Sequence, residues 1–427
     1  MIVLTLSQER IQSEETILSS GLSTRRTFLG LNNSLWRVAL VAGIAQLSVS
    51  IWTWQFSISL DSFLFPWQIG IIFAAGALAG LAGYTMSGTL ADAIGRKNAL
   101  LISFIPQLVG LFLLYLIPVW PFIVVAYSLQ YFGWSFVVVI SRTIPADEIS
   151  ADTSPAATRK ITMVLMPAYA VDAMSPIIAI FLLQAEMQMH ILLLVGLVAA
   201  FAAMILTAVF VQDTYNPMIT YGQGDTFENP LKEIGNPFWK FTLAMVGYYA
   251  AYGMAIPYLG ILSVNDWGVS LDFFALSSSV FSIVTVLVMY SLSGIAGRST
   301  KMGLVLSLIA NSIIMIAIGL GSGAWLLILL NGFWAGPVIV WTATEGMLVV
   351  NGVPPDMKAT ALGLFSSTTS ATGLVSAPLG AFVWTISGSL RFLWILSGVL
   401  AVMFAILTWF ALKKVKIHFG IMMHMKK

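Results

Sequence analysis

The sequence has no cysteine and few charged residues, and both shortages exclude whole classes of protein. None of the 427 residues is Cys, which excludes disulfide bonds, thiolate metal sites and cysteine nucleophiles. Three histidines, His190, His418 and His424, are too few and too scattered for a histidine metal centre. Charged residues make up 9% of the chain, whereas hydrophobic residues make up 59%. This composition is typical of a helical membrane protein that crosses the bilayer several times.

The chain also lacks the sequence features of an enzyme, an ATP-driven pump or a nucleic-acid-binding protein. No apolar segment contains a cluster of carboxylates or histidines, and no Gly-rich phosphate-binding loop is followed by Lys-Ser or Lys-Thr. The net charge of +2 is spread over the loops, so it forms no basic patch for nucleic acid. We therefore predict a protein that is not an enzyme, needs no cofactor or metal, and works as a monomer in the lipid bilayer.

Twelve apolar runs of membrane-spanning length are bounded by charged residues, Pro or Gly. A polar segment, 212–237, divides them into two sets of six. We predict an all-α membrane protein with 12 transmembrane helices in two sets of six, 35–211 and 238–412; the family resemblance described below implies that each set forms a six-helix bundle and that the two bundles are pseudo-symmetric. An N-terminal tail, 1–34, and a basic C-terminal tail, 413–427, complete this organisation. The predicted spans are 36–60, 68–89, 98–117, 121–143, 161–183, 189–211, 238–263, 271–292, 302–321, 324–348, 359–385 and 390–412.

The distribution of basic residues favours one orientation. With residues 1–34 in the cytoplasm, nineteen of the 20 Lys and Arg residues fall on the cytoplasmic side, and Arg391 is the exception. Residues 1–34 also lack the apolar core of a secretory signal. We predict a multi-pass protein of the cell membrane with both termini and the linker in the cytoplasm.

A charged turn, 88–100, separates the second and third spans. It places Asp92, Arg96 and Lys97 within six residues, and such charges require an aqueous turn between helices. Gly88 and Gly95 permit close backbone approach and a tight turn. The pattern G-x-L-A-D-x-x-G-R-K-x-x-L resembles the loop between helices two and three of the major facilitator superfamily of secondary transporters. A loop that only anchors the membrane topology is the alternative.

Two other pairs of segments are repeated between the halves. Residues 152–159 and 351–358 both read polar-x-x-Pro-x-x-x-basic, and the fifth and eleventh spans share the steps Ser175-Pro176 and Ala377-Pro378. The resemblance therefore covers nearly the whole chain. It implies two facing bundles, with the first, fourth, seventh and tenth helices around a central cavity that opens alternately to either side.

The resemblance also implies a cytoplasmic gate. Arg96 is expected to pair with an acid that follows the fourth span, and Asp92 is expected to meet the N-terminal end of the eleventh span. For Asp147 and Glu148, a role in topology alone is the alternative. Glu345 is placed near the inner membrane boundary by its position in the tenth span. The predicted gate residues are Gly88, Asp92, Gly95, Arg96, Lys97, Asp147, Glu148, Asp152, Arg159, Glu345 and Lys358.

An acid lies near the middle of the fifth span. A carboxylate at this depth costs at least about 2.5 to 3.5 kcal/mol on insertion scales, so an intramembrane acid is expected to be functional. We predict that Asp172 binds and releases a coupling proton. The alternative is a neutral acid that is hydrogen-bonded to Tyr169 or Ser175 for packing.

Polar and aromatic residues at mid-depth on the implied cavity-lining spans are the candidates for solute contact. Aromatic walls with a few amides suit a neutral or weakly charged organic molecule, and no basic residue at mid-depth is available for a phosphate ester. The alternative for each residue is a role in packing or at the membrane interface. The candidates are Gln46, Gln55, Gln130, Tyr131, Trp134, Tyr248, Tyr249, Tyr252, Asn331 and Trp334.

These features together predict a secondary active transporter of a small organic solute that works by alternating access, with proton-coupled symport as the leading hypothesis. The fifth span departs from the family's antiporter pattern, since Val171, Ser175 and Ala179 stand at glycine positions, and this departure favours uptake. The eleventh span, with Gly373, is closer to that pattern. Proton-coupled efflux of a drug or metabolite, an uncoupled facilitator and a non-transporting sensor remain alternatives.

Overall fold

The computed structural model describes residues 31–149, 155–184, 189–213, 235–292, 300–351 and 358–413. Within these ranges, the side chains of Asp92, Arg142 and several residues beside the gaps are outside the described set.

Twelve helices in the described ranges are long and apolar enough to cross a membrane. Each corresponds to one predicted span, so the prediction of an all-α protein with twelve spans is confirmed. The first half contains α1 (Asn33–Asp61), α2 (Pro66–Ile94), α3 (Arg96–Leu116), α4 (Phe122–Ile149), α5 (Pro155–Gln184) and α6 (Met189–Phe210). The second half contains α7 (Gly235–Ala255), α8 (Leu271–Leu292), α9 (Thr300–Leu320), α10 (Ala324–Asn351), α11a (Lys358–Ser370), α11b (Gly373–Ser387) and α12 (Leu390–Lys413).

Local sequence explains where several helices begin and end. The Asn32 side chain accepts a hydrogen bond from the Leu35 N–H at 2.8 Å and caps the start of α1. Pro66 occupies the first position of α2, where its missing N–H costs nothing. Gly95 has a φ of +91° and forms the one-residue junction between α2 and α3, a conformation that favours glycine. The predicted turn at 88–100 is therefore shorter than its charged sequence suggests.

Two spans that the sequence predicts as continuous are interrupted. The segment 256–266 extends α7 through a 3₁₀ turn, a single α turn and a π turn, and Pro257 lacks the N–H that a regular helix needs there. The eleventh span is broken between α11a and α11b. Thr368, Thr369 and Thr372 donate side-chain hydrogen bonds to carbonyls of their own helix near this break, and such bonds compete with regular helix geometry.

The helices pack into two bundles of six with the same internal arrangement. In the first bundle, α1 contacts α5 and α6, α2 contacts α4, and α3 contacts α4 and α6. The second bundle repeats this pattern, with α7 against α11b and α12, α8 against α10, and α9 against α10 and α12. The bundles meet where α2 contacts α11b and where α5 contacts α8. The predicted pseudo-symmetry is therefore visible in the packing.

Individual side chains also repeat between the bundles. The Lys97 ammonium donates to the Ala208 carbonyl at 2.8 Å, and the Lys301 ammonium donates to the Leu412 carbonyl at 3.0 Å. Each lysine thus lies at the start of the third helix of its bundle and stabilises the negative C-terminal end of the sixth.

Large apolar side chains cover the outside of the molecule. Trp325 is 74% exposed, Leu243 is 72% exposed and Phe181 is 69% exposed. Exposed apolar surface on this scale is not stable in water. Together with the twelve apolar helices, it identifies a multi-pass membrane protein.

Candidate functional site

Asp172 lies near the middle of α5 and accepts hydrogen bonds from both bundles. The Gln46 side-chain amide donates to Oδ1 at 3.1 Å, and the Ser50 hydroxyl donates to the same oxygen. The Ser282 hydroxyl donates to Oδ2 at 2.9 Å. Because Gln46 and Ser50 belong to α1 and Ser282 belongs to α8, this carboxylate joins the bundles at mid-membrane.

The partners of Asp172 differ from those considered for a packing role. Ser175 donates to the Val171 carbonyl at 2.6 Å within its own helix, and no bond from Tyr169 to Asp172 is found in the described part of the chain. Gln46 also donates to Ser50 at 2.7 Å, so the donors themselves are linked. Gln46, a candidate for solute contact, therefore belongs to the hydrogen-bond network of the acid in this conformation.

The two ends of the bundle interface differ in how closely the bundles approach. At the end that carries Asp61, here called the Asp61 end, the Asn265 amide donates to Asp61 at 2.7 Å. A methyl group added at Gly70 on α2 would lie 2.9 Å from the Ala381 side chain on α11b. At the opposite end, here called the Gly95 end, a methyl group added at Gly88 would meet no described atom within 4 Å. Among the described residues, the bundles thus contact each other at the Asp61 end, and no side chain lies against Gly88.

A cluster of aromatic residues encloses a second acid in the second bundle. Glu345 on α10 is 9% exposed. The Tyr249 hydroxyl donates to its Oε1 at 2.7 Å, and the Trp341 indole N–H donates to its Oε2 at 2.7 Å. Tyr252 lies on the same face of α7, and its ring centroid is 5.2 Å from that of Trp341. We call Tyr249, Tyr252, Trp341 and Glu345 the Glu345 cluster.

Glu345 therefore lies inside the second bundle, and its predicted role in the gate stays a prediction. Both of its hydrogen-bond partners belong to that bundle. The position of Glu345 along its helix predicts its depth in the membrane, whereas the face of the helix on which it lies determines its hydrogen-bond partners.

The side chains of the remaining solute candidates differ in how much of their surface is buried. Tyr248 is fully buried and donates to the Leu308 carbonyl at 3.2 Å, so it is not accessible in this conformation. Tyr131 and Trp134 are half-buried. Four others are buried, and each has at least one side-chain polar atom without a partner: Gln55, Gln130, Asn331 and Trp334. Within the described residues, Tyr249, Tyr252 and Trp334 come together with Trp341 and Phe281, whereas the candidates of the first bundle do not join this group.

Part of the predicted gate can be located. The Asp213 carboxylate accepts the Arg96 backbone N–H at 3.0 Å and lies against Gly95, so it stabilises the positive N-terminal end of α3. Sequence reasoning assigned Asp213 to the linker; its signal is an acid directly after the sixth span, within reach of the turn. The side chains of Asp92, Asp147, Glu148, Asp152, Arg159 and Lys358 lie outside the described residues, so their predicted pairings stay predictions.

Comparison with known proteins connects this geometry to a fold. No family model and no curated protein sequence matches the chain. Solved structures match it over most of its length. The nucleoside transporter NupG is 16% identical, with 90% of this chain and 100% of that chain covered and a TM-score of 0.66. A POT family transporter in complex with 5-aminolevulinic acid is 13% identical, with 92% and 99% covered and a TM-score of 0.76.

The human organic anion transporter MFSD10 is also similar, at 15% identity, with 87% of this chain and 99% of that chain covered and a TM-score of 0.63. The chain has the fold of the major facilitator superfamily. The resemblance that the 88–100 pattern suggests is thereby confirmed at the level of the fold.

Proposed function

We propose that the protein is a secondary active transporter that moves a small organic solute by alternating access, with a proton as the coupling ion in symport. The observation that carries this proposal is the carboxylate of Asp172, which accepts hydrogen bonds from α1 and α8 at mid-membrane. The fold supports transport in general. The names of the similar structures mention a nucleoside transporter, an organic anion transporter and a transporter in complex with 5-aminolevulinic acid. These names do not indicate one solute.

Protonation of Asp172 changes what its network can do. The ionised carboxylate accepts all three hydrogen bonds, and bonds to a charged acceptor are about twice as strong as neutral ones. The protonated acid is itself a donor and accepts more weakly. Separation of α5 from α8 would leave an ionised Asp172 in the membrane without its Ser282 partner, which is costly. Proton binding therefore lowers the free energy needed to move one bundle relative to the other.

The two ends of the interface supply the gates. We assign the Gly95 end to the cytoplasm, because nearly all Lys and Arg residues of the sequence fall on that side. With this orientation, the contacts at the Asp61 end close the outside, and the space beside Gly88 belongs to an inward-open state. An outward-open state then requires new contacts between the bundles at the Gly95 end, where the predicted gate residues are concentrated.

The test begins with a thermal-shift screen of sugars, amino acids, carboxylates and hydrophobic drugs, followed by transport of the best ligand in proteoliposomes. We expect accumulation when the outside is acid and none without a pH gradient. Replacing Na⁺ by K⁺ should have no effect, since a sodium requirement would contradict proton coupling. Ligand binding without flux would indicate a sensor and contradict transport.

The decisive variant is Asp172→Asn, which keeps the size of the side chain and removes its titration. We expect it to abolish proton-driven accumulation and to retain exchange of labelled for unlabelled solute. The matched control is Ser279→Ala, a change on α8 close to Ser282 at a residue whose hydroxyl has no partner among the described residues. Unchanged accumulation by a correctly inserted Asp172→Asn protein would refute the coupling role.

A further inference from the structure

The carboxylate of Glu345 has no cationic partner in the described part of the chain. Its two hydrogen bonds come from the neutral side chains of Tyr249 and Trp341. Each carboxylate oxygen has a second lone pair that these donors leave free. A buried charge without a counter-charge is unfavourable even when it is hydrogen-bonded. The coupling scheme above does not use this acid, so its presence calls for another role.

Aromatic rings stand next to this carboxylate on the side of α7. The ring centroids of Tyr249 and Tyr252 lie 4.9 and 5.2 Å from that of Trp341, with interplanar angles of 54° and 81°. Both tyrosines are half-buried. The faces of such rings attract cations, and groups of them recognise ammonium ligands. A single carboxylate with several ring faces is the chemistry that suits an organic ammonium group.

The position of the Glu345 cluster along α7 can be described relative to the contact between α1 and α7. Helix α1 approaches the α7 extension at the Asp61 end, where a methyl group added at Gly260 would lie 2.9 Å from Ile58. Tyr252 precedes this contact by about two helical turns, and Tyr249 lies one turn further toward the Gly95 end. The half-buried tyrosines therefore lie on the Gly95 side of the contact that joins α1 and α7.

We propose that the Glu345 cluster binds the ammonium group of a cationic organic solute. Glu345 supplies the counter-charge, Tyr249 and Trp341 orient its carboxylate, and the rings of Tyr249 and Tyr252 contact the alkyl groups on the nitrogen. This assignment replaces the neutral solute that the aromatic residues alone suggest. It rests on the proposed function for its role in transport, whereas binding itself does not require transport.

The test uses choline as the probe and isothermal titration calorimetry on the full chain in nanodiscs. The control ligand is 3,3-dimethyl-1-butanol, which has nearly the shape of choline and no charge. We expect saturable binding of choline and at least about tenfold weaker binding of the neutral alcohol. Glu345→Gln should weaken choline binding at least about tenfold, because it removes the counter-charge and keeps the shape.

Two further variants keep the test decisive. Tyr252→Leu removes a ring face without touching the acid and should weaken choline binding several-fold, which decides the matter if Glu345→Gln fails to fold. Trp325→Phe, at an exposed tryptophan of the same helix, should bind choline as the unmodified protein does.

Three results would overturn the inference: no choline binding, equal binding of choline and the alcohol, or normal choline binding by a folded Glu345→Gln protein. Choline binding without choline flux in proteoliposomes would leave the inference intact and count against the proposed transport. Proton-driven flux of another solute without choline binding would overturn the inference and leave the proposed transport intact.

Discussion

Each bundle has an acid well inside one of its spanning helices, and the two acids are held by different means. Asp172 in the first bundle accepts from small side chains that belong to both bundles. Glu345 in the second bundle accepts from two aromatic side chains of its own bundle. A change of charge at Asp172 therefore acts on the interface between the bundles, whereas a change of charge at Glu345 acts on the surroundings of one aromatic cluster. In the two proposals above, Asp172 is accordingly the coupling acid and Glu345 the binding acid.

The largest expected effect is a separation of function between the two acids. Asp172→Asn should lower proton-driven accumulation at least about tenfold and leave the affinity for choline within about twofold, since its network does not touch the Glu345 cluster. Glu345→Gln should raise the choline concentration for half-maximal transport at least about tenfold and leave accumulation proton-dependent at saturation. Choline titration and proteoliposome transport on both variants measure the four quantities. Loss of proton dependence in both variants would remove the distinction.

The next effect concerns the two ends of α2. Gly70→Leu should disfavour closure at the Asp61 end, because overpacking at a tight contact costs about 1 to 3 kcal/mol and the neighbouring Ala381 leaves no room. Spin labels at Ser62→Cys and Ser270→Cys, both exposed at this end, should then report longer distances. The absence of native cysteine makes this labelling specific.

Gly88→Leu is the matched change at the other end of the same helix. Since no described atom would lie within 4 Å of a methyl group added at Gly88, we expect the Ser62 to Ser270 distances to stay short. If both substitutions lengthened the distance between the Ser62 and Ser270 labels equally, a large side chain anywhere along α2 would separate the bundles. The assignment of closed and open ends would then be wrong.

A smaller effect is expected from the single bond that joins Asp172 to the second bundle. Ser282→Ala removes this bond, and a hydrogen bond to a charged group contributes about 1.5 to 3 kcal/mol. The ratio of solute accumulated under a proton gradient to labelled solute exchanged should fall about tenfold. The reason is that an ionised Asp172 no longer accepts a hydrogen bond that joins α5 to α8. Ser50→Ala removes a bond within the first bundle and should lower the ratio less. The reverse order would place the coupling step inside the first bundle.

The smallest effect compares the two lysines that repeat between the bundles. Lys97→Met and Lys301→Met should each lower the free energy of unfolding by about 0.3 to 1 kcal/mol, which is the usual stabilisation by a charge of opposite sign near a helix end. Thermal unfolding in detergent measures both losses. If Lys97 also belongs to the gate, as the sequence predicts, Lys97→Met alone should change the distance between the Ser62 and Ser270 labels.

Apolar run length was sufficient to predict all twelve helices, because crossing the bilayer imposes a minimum length on each helix. It did not predict the break between α11a and α11b or the irregular extension of α7, since both depend on local competition for backbone hydrogen bonds. The repeated loops indicated a duplication, and the two-bundle arrangement followed from the family resemblance.

The sequence allowed less of the site than of the fold to be predicted. Asp172 could be singled out, because an acid at mid-membrane is rare and costly. Its partners Ser50 and Ser282 could not, since their contacts depend on which faces of α1, α5 and α8 meet. The hydrogen-bond partners of Glu345 could not be predicted for the same reason. Asp213 was assigned to the linker, because its position after the sixth span does not by itself show which helix end it stabilises.

The seam between α2 and α11b is built from the smallest side chains in the chain: Gly70 faces Ala381, and Gly373 faces Ala77. Residues of this size remove little apolar area when they touch, so parting them sacrifices little favourable burial. Their small size nevertheless allows the two backbones to approach closely. In the proposed transporter, a seam of this kind would hold the two bundles in close contact and part at little cost in every cycle.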